Sequence, residues 1–70
     1  MSTVDLVMDR VRDLFKKSGM TLDELGQKMG YESGIARKSA WQFLNKTSDP
    51  RLSMLLRFAE AVGIDPKDVL

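Results

Sequence analysis

The sequence predicts an all-α fold, a compact bundle of five short helices in a single domain that spans residues 1–70. Apolar residues recur at intervals of three and four, which is the spacing of one helix face. Alternating runs of β-branched and polar residues, which are typical of strands, are absent. Glycine and proline interrupt the chain at short intervals, so each helix is expected to be short.

The first helix is predicted to run from about Thr3 to Lys17 and to end at Gly19. Its inward face consists of apolar residues at helical spacing, namely Val4, Val7, Val11, Leu14 and Phe15. Met8 and Phe15 lie at the edge of this face. They are either rim residues, which we favour, or a dimer contact.

The second helix is predicted to begin at Thr21, because Thr21 and Glu24 have the spacing of a capping box. Its inward residues are Leu22, Leu25 and Met29. Gly30 suits the left-handed position that ends a helix. Gly26 has no side chain and therefore allows the third helix to approach closely.

The third helix is predicted over about residues 35–45. The residues on its inward side are Ala36, Ala40, Phe43 and Leu44. Those on its outward side, with Arg37 on the flank, are Lys38, Trp41, Gln42 and Asn45. Ile35 does not fit the apolar side, so either the helix begins after it or Ile35 packs back against the second helix.

The fourth helix is predicted to open near Pro50, with Asp49 or Arg51 at its boundary, and to end at Gly63. Its inward stripe consists of Leu52, Leu55, Leu56, Phe58, Ala59 and Val62. The fifth helix is short. It is capped by Asp65 and opened by Pro66, and it returns two apolar residues to the core, Val69 and Leu70.

Composition argues against several functional classes. The chain has neither cysteine nor histidine, so we expect no disulfide and no metal site. No run approaches the roughly 20 apolar residues of a membrane span. The N-terminus lacks an apolar signal core, so a cytoplasmic location is expected. No glycine-rich phosphate loop or nucleophile setting is present, and we expect neither an enzyme nor a cofactor.

Positive charge is concentrated in one segment, although the net charge is only +1. Residues 33–48 contain no acid but include Arg37, Lys38 and Lys46, and Arg51 follows closely. Such a zone suits phosphate binding. The same charges also fit a solvated basic face, and charge alone does not decide between the two.

Two stretches, TLDELGQKMG and FLNKTSDPRLSMLLRFAEAVGI, resemble the lambda-repressor/Cro-type (XRE) helix-turn-helix family. The resemblance covers about residues 8–70. The residues that match in the second stretch are Pro50, Leu52, Leu55, Leu56, Ala59, Ala61, Val62, Gly63 and Ile64. The resemblance implies a homodimeric transcriptional regulator, expected to be a repressor, that binds double-stranded DNA. The sequence shows no ligand domain, so no small-molecule effector is expected.

The chain departs from the pattern of this family at several positions. Gly26 replaces the usual alanine, Leu22 replaces a common glutamine, and Lys46 stands where a glycine is usual. The segment from Gly30 to Pro50 is longer than usual by about four residues, close to one helical turn. Either the turn is longer or the third helix is extended. We favour a longer turn, or a mixture of both, because Ile35 breaks the apolar stripe.

The resemblance carries Arg37, Lys38, Trp41 and Gln42 onto positions that contact bases. Arg37 can bind guanine O6 and N7, Lys38 can bind guanine or phosphate, and Gln42 can pair with adenine. Trp41 can contact a thymine methyl or a sugar, or wedge the third helix against the longer turn. The predicted DNA-binding set also includes Thr21, Ser39, Asn45, Lys46 and Arg51; of these, Thr21, Asn45, Lys46 and Arg51 are expected to contact phosphates.

A second class of function uses the same fold without DNA. The small net charge, the longer turn and the predicted surface position of Trp41 fit a protein-interaction module, such as an antitoxin or an accessory subunit.

Overall fold

Four α-helices follow one another along the chain, at Thr3–Ser18 (α1), Leu22–Lys28 (α2), Ala36–Lys46 (α3) and Leu52–Val62 (α4). The structure is a computed structural model that describes residues 3–69, with side chains described from residue 5 onward. No strand occurs in that range, so the predicted all-α class is confirmed. None of the helices in the described range is both long enough and apolar enough to traverse a bilayer.

The predicted fifth helix is only a single 3-10 turn, Pro66–Asp68. Its backbone bonds join residues three apart, from the Asp68 N–H to the Asp65 carbonyl at 2.9 Å and from the Val69 N–H to the Pro66 carbonyl at 3.0 Å. Val69 is buried as predicted, whereas Leu70 lies outside the described residues.

Helix α2 is short and is closed by local hydrogen bonds at both ends. The Thr21 hydroxyl accepts from the Glu24 N–H at 3.1 Å, and the Thr21 N–H donates to the Glu24 carboxylate at 3.3 Å. The predicted capping box is therefore confirmed. At the other end Gly30 has φ +101°, and the Tyr31 N–H donates to the Gly26 carbonyl at 3.0 Å. This pattern is a Schellman ending, which needs a left-handed residue such as glycine.

The backbones of α2 and α3 meet at Gly26. A Cβ atom added to Gly26 would lie 2.5 Å from the carbonyl carbon of Ala36 and closer still to its oxygen. The prediction that Gly26 permits a close approach is confirmed. The alanine that is usual at this position in XRE proteins would not fit here. The packing of α2 against α3 therefore requires a glycine at position 26.

The core is apolar and draws on every helix. Its buried residues are Met8, Val11, Leu25, Met29, Ala36, Ala40, Phe43, Leu44, Leu55, Phe58, Ala59, Ala61 and Val69. The rings of Phe43 and Phe58 lie 5.9 Å apart at their centroids, an arrangement that contributes about 1 kcal/mol beyond the area buried. Among the described residues no polar or charged side chain is buried.

Three sequence predictions about the core are wrong. Met8 is only 3% exposed and belongs to the core rather than to its rim. Leu52 and Leu56 are 57% and 41% exposed, although both were expected to face inward. Helix α4 is turned so that Phe58 and Ala61 are buried, and Leu56 lies roughly 160° around the helix from Phe58.

The connection between α2 and α3 is long, as the sequence predicts, and covers residues 29–35. Ile35 precedes the first residue of α3 and is 52% exposed, so the helix begins after it, which is one of the two arrangements that the sequence leaves open. Tyr31 links the connection to α4, because its hydroxyl donates a weak hydrogen bond to the Met54 sulphur at 3.9 Å. A charged bond secures the far end of α3, where Arg12 Nη1 donates to the Leu44 carbonyl at 2.8 Å.

The contact at Gly26 predicts a large loss of stability when a methyl group is added there. Gly26→Ala is expected to lower the free energy of unfolding by about 2 kcal/mol, because the clash outweighs the helix-propensity gain of about 1 kcal/mol. Gly34→Ala is the matched control, since a Cβ at Gly34 meets nothing within 4 Å. Urea denaturation measures both changes, and a Gly26→Ala protein as stable as the parent would contradict the packing described.

Candidate functional site

Helix α3 has two sharply different faces. Ala36 and Ala40 are fully buried, and Phe43 and Leu44 are nearly so. The residues on the opposite side are exposed, namely Arg37, Lys38, Trp41, Gln42, Asn45 and Lys46. The facing predicted for this helix is confirmed, and its outward side presents three cations, an indole and two amides together.

The first turn of α3 is electrostatically unfavourable. Its N-cap residue, Ile35, makes no side-chain capping bond, and the turn contains no acid. Arg37 and Lys38 instead place two positive charges at the positive end of the helix dipole. Helix α2 shows the opposite arrangement, with a full capping box and with Asp23 and Glu24 in its first turn. An anion bound at the start of α3 would relieve this excess of positive charge.

The cations around α3 are not engaged in ion pairs. Within the described chain, the ion pairs join Arg12 to Asp9, Lys17 to Asp13 and Lys67 to Asp65. None of them involves the four cations predicted for the site, which are Arg37, Lys38, Lys46 and Arg51. These charges are therefore available to an external anion without the loss of an internal ion pair.

One cleft lies between α3 and the start of α4, and we call it the α3–α4 cleft. It has a volume of about 530 Å³ and contains four predicted site residues, Ser39, Gln42, Lys46 and Arg51. Its other lining residues are Tyr31, Phe43, Thr47, Asp49, Pro50 and Met54. Asp49 is the one carboxylate among these residues, beside two cations.

A second cleft, which we call the Trp41 cleft, lies at the other flank of α3. It has a volume of about 370 Å³ and is lined by Leu22, Gly34, Arg37, Lys38 and Trp41. A smaller cleft towards α1, of about 210 Å³, shares two of these residues, Leu22 and Trp41. The Lys46 ammonium lies 5.7 Å from the centroid of the indole ring, within the range of a cation–π interaction.

Two predicted site residues make bonds within the protein. The Thr21 hydroxyl is occupied in the capping box, and Thr21 lines none of the three clefts. Asp23 and Glu24 lie beside it and would repel a phosphate. Asn45 Nδ2 donates to the Trp41 carbonyl at 3.0 Å, while Asn45 stays exposed and lines the small cleft towards α1.

Sequence reasoning missed two residues that shape the site. Tyr31 lines the α3–α4 cleft and joins the long connection to α4. Arg12, which lies on α1, donates a hydrogen bond to the Leu44 carbonyl in the last turn of α3. No periodic signal marks a tyrosine in a loop, and the Arg12 bond joins residues 32 positions apart. The presence of the only tyrosine in the extra length of the turn was the one available clue.

Comparisons with protein families, with curated proteins and with solved structures found no significant match to this chain. The similarity to XRE proteins therefore remains a resemblance in sequence pattern. The features of the molecule that bear on its function are the charges, the exposure and the clefts of α3.

The charges at the two ends of α3 predict stability changes of opposite sign. Lys38→Glu is expected to raise the free energy of unfolding by about 0.5 kcal/mol, because it places an anion at the positive end of the dipole. Lys46→Glu makes the same change at the negative end and is expected to lower it by a similar amount. Urea denaturation at low ionic strength measures both, and a loss of stability in Lys38→Glu would contradict this account of the uncapped first turn.

Proposed function

We propose that this protein binds double-stranded DNA sequence-specifically, with α3 in the major groove, and regulates transcription as a repressor. The observation that carries the proposal is the outward face of α3, where amides and cations that make no ion pair lie opposite a buried apolar face. An α-helix fits a major groove, which is about 12 Å wide. Binding there would also supply the anion that the uncapped first turn lacks.

The exposed side chains suggest distinct roles at the base edges. Arg37 can donate two hydrogen bonds to guanine O6 and N7, and Gln42 can pair with adenine N6 and N7. Lys38 can reach guanine or a phosphate. All three are exposed and make no side-chain bond within the described chain that would have to break first.

The α3–α4 cleft supports contacts with the phosphate backbone. Lys46 and Arg51 supply charge to it and Ser39 supplies a hydroxyl. Arg51 is also the N-cap residue of α4, which has no side-chain capping bond and no acid in its first turn. Thr21 has less support as a phosphate contact, because its hydroxyl already closes α2.

A homodimer in the cytoplasm completes the proposal. One helix contacts only a few base pairs, so two copies on half-sites about 34 Å apart would supply affinity and specificity together.

A protein-interaction module, such as an antitoxin or an accessory subunit, is the second candidate. Exposed apolar side chains favour it, above all Leu52 and Leu56 on successive turns of α4, and Trp41 on α3. A pull-down that recovers one stoichiometric protein partner would support this function if DNA affinity did not depend on salt. Mutation of Leu52 and Leu56 would then abolish the interaction.

Selection of bound duplexes from a random DNA pool tests the DNA proposal directly. We expect an enriched short motif with two-fold symmetry, and an affinity that falls as salt rises because counterions are released from the phosphates. If no duplex competes better than bulk DNA, the proposal fails.

Removal of one cation from α3 predicts a loss confined to one base position. Arg37→Ala is expected to weaken binding to the selected duplex by about 1–3 kcal/mol and to relax the preference at one base. Arg57→Ala is the matched control, because this substitution removes the same charge at another place. Arg57 is exposed on α4 and lines none of the clefts. Fluorescence anisotropy with single-base variants of the duplex measures both. Equal losses for the two variants, with no change in base preference, would contradict the role given to Arg37.

A further inference from the structure

We infer that the Trp41 cleft is a specificity pocket for the methyl group of a pyrimidine, which in DNA is the C5-methyl of thymine. This inference rests on the proposed function and adds to it a second chemistry of recognition, apolar instead of hydrogen-bonding. Among the exposed side chains of α3, Trp41 is the large apolar one, and it is 44% exposed.

The lining of the cleft separates an apolar part from a charged part. Leu22 and Trp41 supply apolar surface, and Gly34 contributes no side chain that would fill the space. Arg37 and Lys38 supply positive charge. The combination matches the edge of a thymine in duplex DNA, where a methyl group projects into the major groove between two phosphate strands.

Leu22 explains why this site would select a methyl group instead of a hydrogen-bonding atom. It is half-buried at the first position of α2 and lines both clefts that Trp41 lines. Its side chain has no donor or acceptor, and the indole has only its N–H. A volume of about 370 Å³ admits the outer edge of a pyrimidine, so the methyl can enter with part of its ring.

The spacing of Arg37 and Trp41 sets the position of the thymine relative to the guanine proposed for Arg37. Four residues advance a helix by about 6 Å along its axis. Successive bases on one strand are about 3.4 Å apart. The thymine contacted by Trp41 is therefore expected within two base pairs of the guanine contacted by Arg37.

Replacement of thymine by deoxyuridine tests the pocket, because it removes only the methyl group and keeps every hydrogen-bonding atom. The probe is the duplex selected from the random pool, with its thymines replaced one at a time. We expect one position, within two base pairs of the guanine, where replacement weakens binding about fourfold, the effect of exposing one buried methyl group. The other positions are expected to change little.

Protein variants then assign that effect to the cleft. The Trp41→Ala variant is expected to bind the thymine and deoxyuridine duplexes with equal affinity. The Leu22→Gln variant is expected to give the same result, and it replaces Trp41→Ala in this test if circular dichroism shows that Trp41→Ala does not fold. Leu56→Ala is the matched control, since Leu56 is an exposed apolar residue outside all three clefts, and it should keep the fourfold preference.

The outcomes separate the two proposals. A selected motif with no sensitive thymine near the guanine, or a preference for thymine that survives both cleft variants, would overturn the pocket while leaving DNA binding in place. If no motif is selected at all, DNA binding itself fails. Loss of a protein partner in Trp41→Ala, with no effect on DNA, would instead assign the cleft to a protein ligand.

Discussion

The close contact between the backbones of α2 and α3 at Gly26 is the constraint on which the rest of the structure depends. Because a glycine meets the carbonyl of Ala36, α3 lies against α2 with its alanines inward. The larger Phe43 then reaches the core and stacks near Phe58 of α4. With one side of α3 fixed in this way, its polar side has to face outward. The arrangement of the candidate site is thus a consequence of packing on the opposite side of the helix.

Helix α3 is buried along its inward face but is poorly stabilised at its first turn. Ile35 provides no cap, and Arg37 and Lys38 oppose the dipole, while α2 a few residues earlier is capped and acidic at its start. Local features that reduce stability often coincide with functional sites, where a ligand supplies the missing interaction. Two separate features therefore favour a bound anion. The uncapped first turn leaves the positive end of the helix dipole unneutralised, and the acid-free segment concentrates positive charge around α3.

Local features of the fold could be predicted from the sequence, whereas features set by distant contacts could not. The capping box at Thr21, the glycine that ends α2 and the two faces of α3 each depend on residues within a few positions. The orientation of α4 does not, because leucines occur around so much of that helix that Leu56 fitted the apolar stripe as well as Phe58 did. The same is true of the candidate site. Its cations could be predicted from the sequence, but its clefts could not, because they depend on how the long turn, α1 and α4 surround α3.

The central claim is that the outward face of α3 is a surface for duplex DNA. Amide chemical-shift mapping of the ¹⁵N-labelled protein, titrated with a short duplex at low salt, tests it most directly. The account predicts that the largest shifts occur at Arg37, Lys38, Gln42 and the indole N–H of Trp41, and that they diminish as salt is added. Shifts confined to the Leu52–Leu56 side of α4, or no shifts at all, would contradict it.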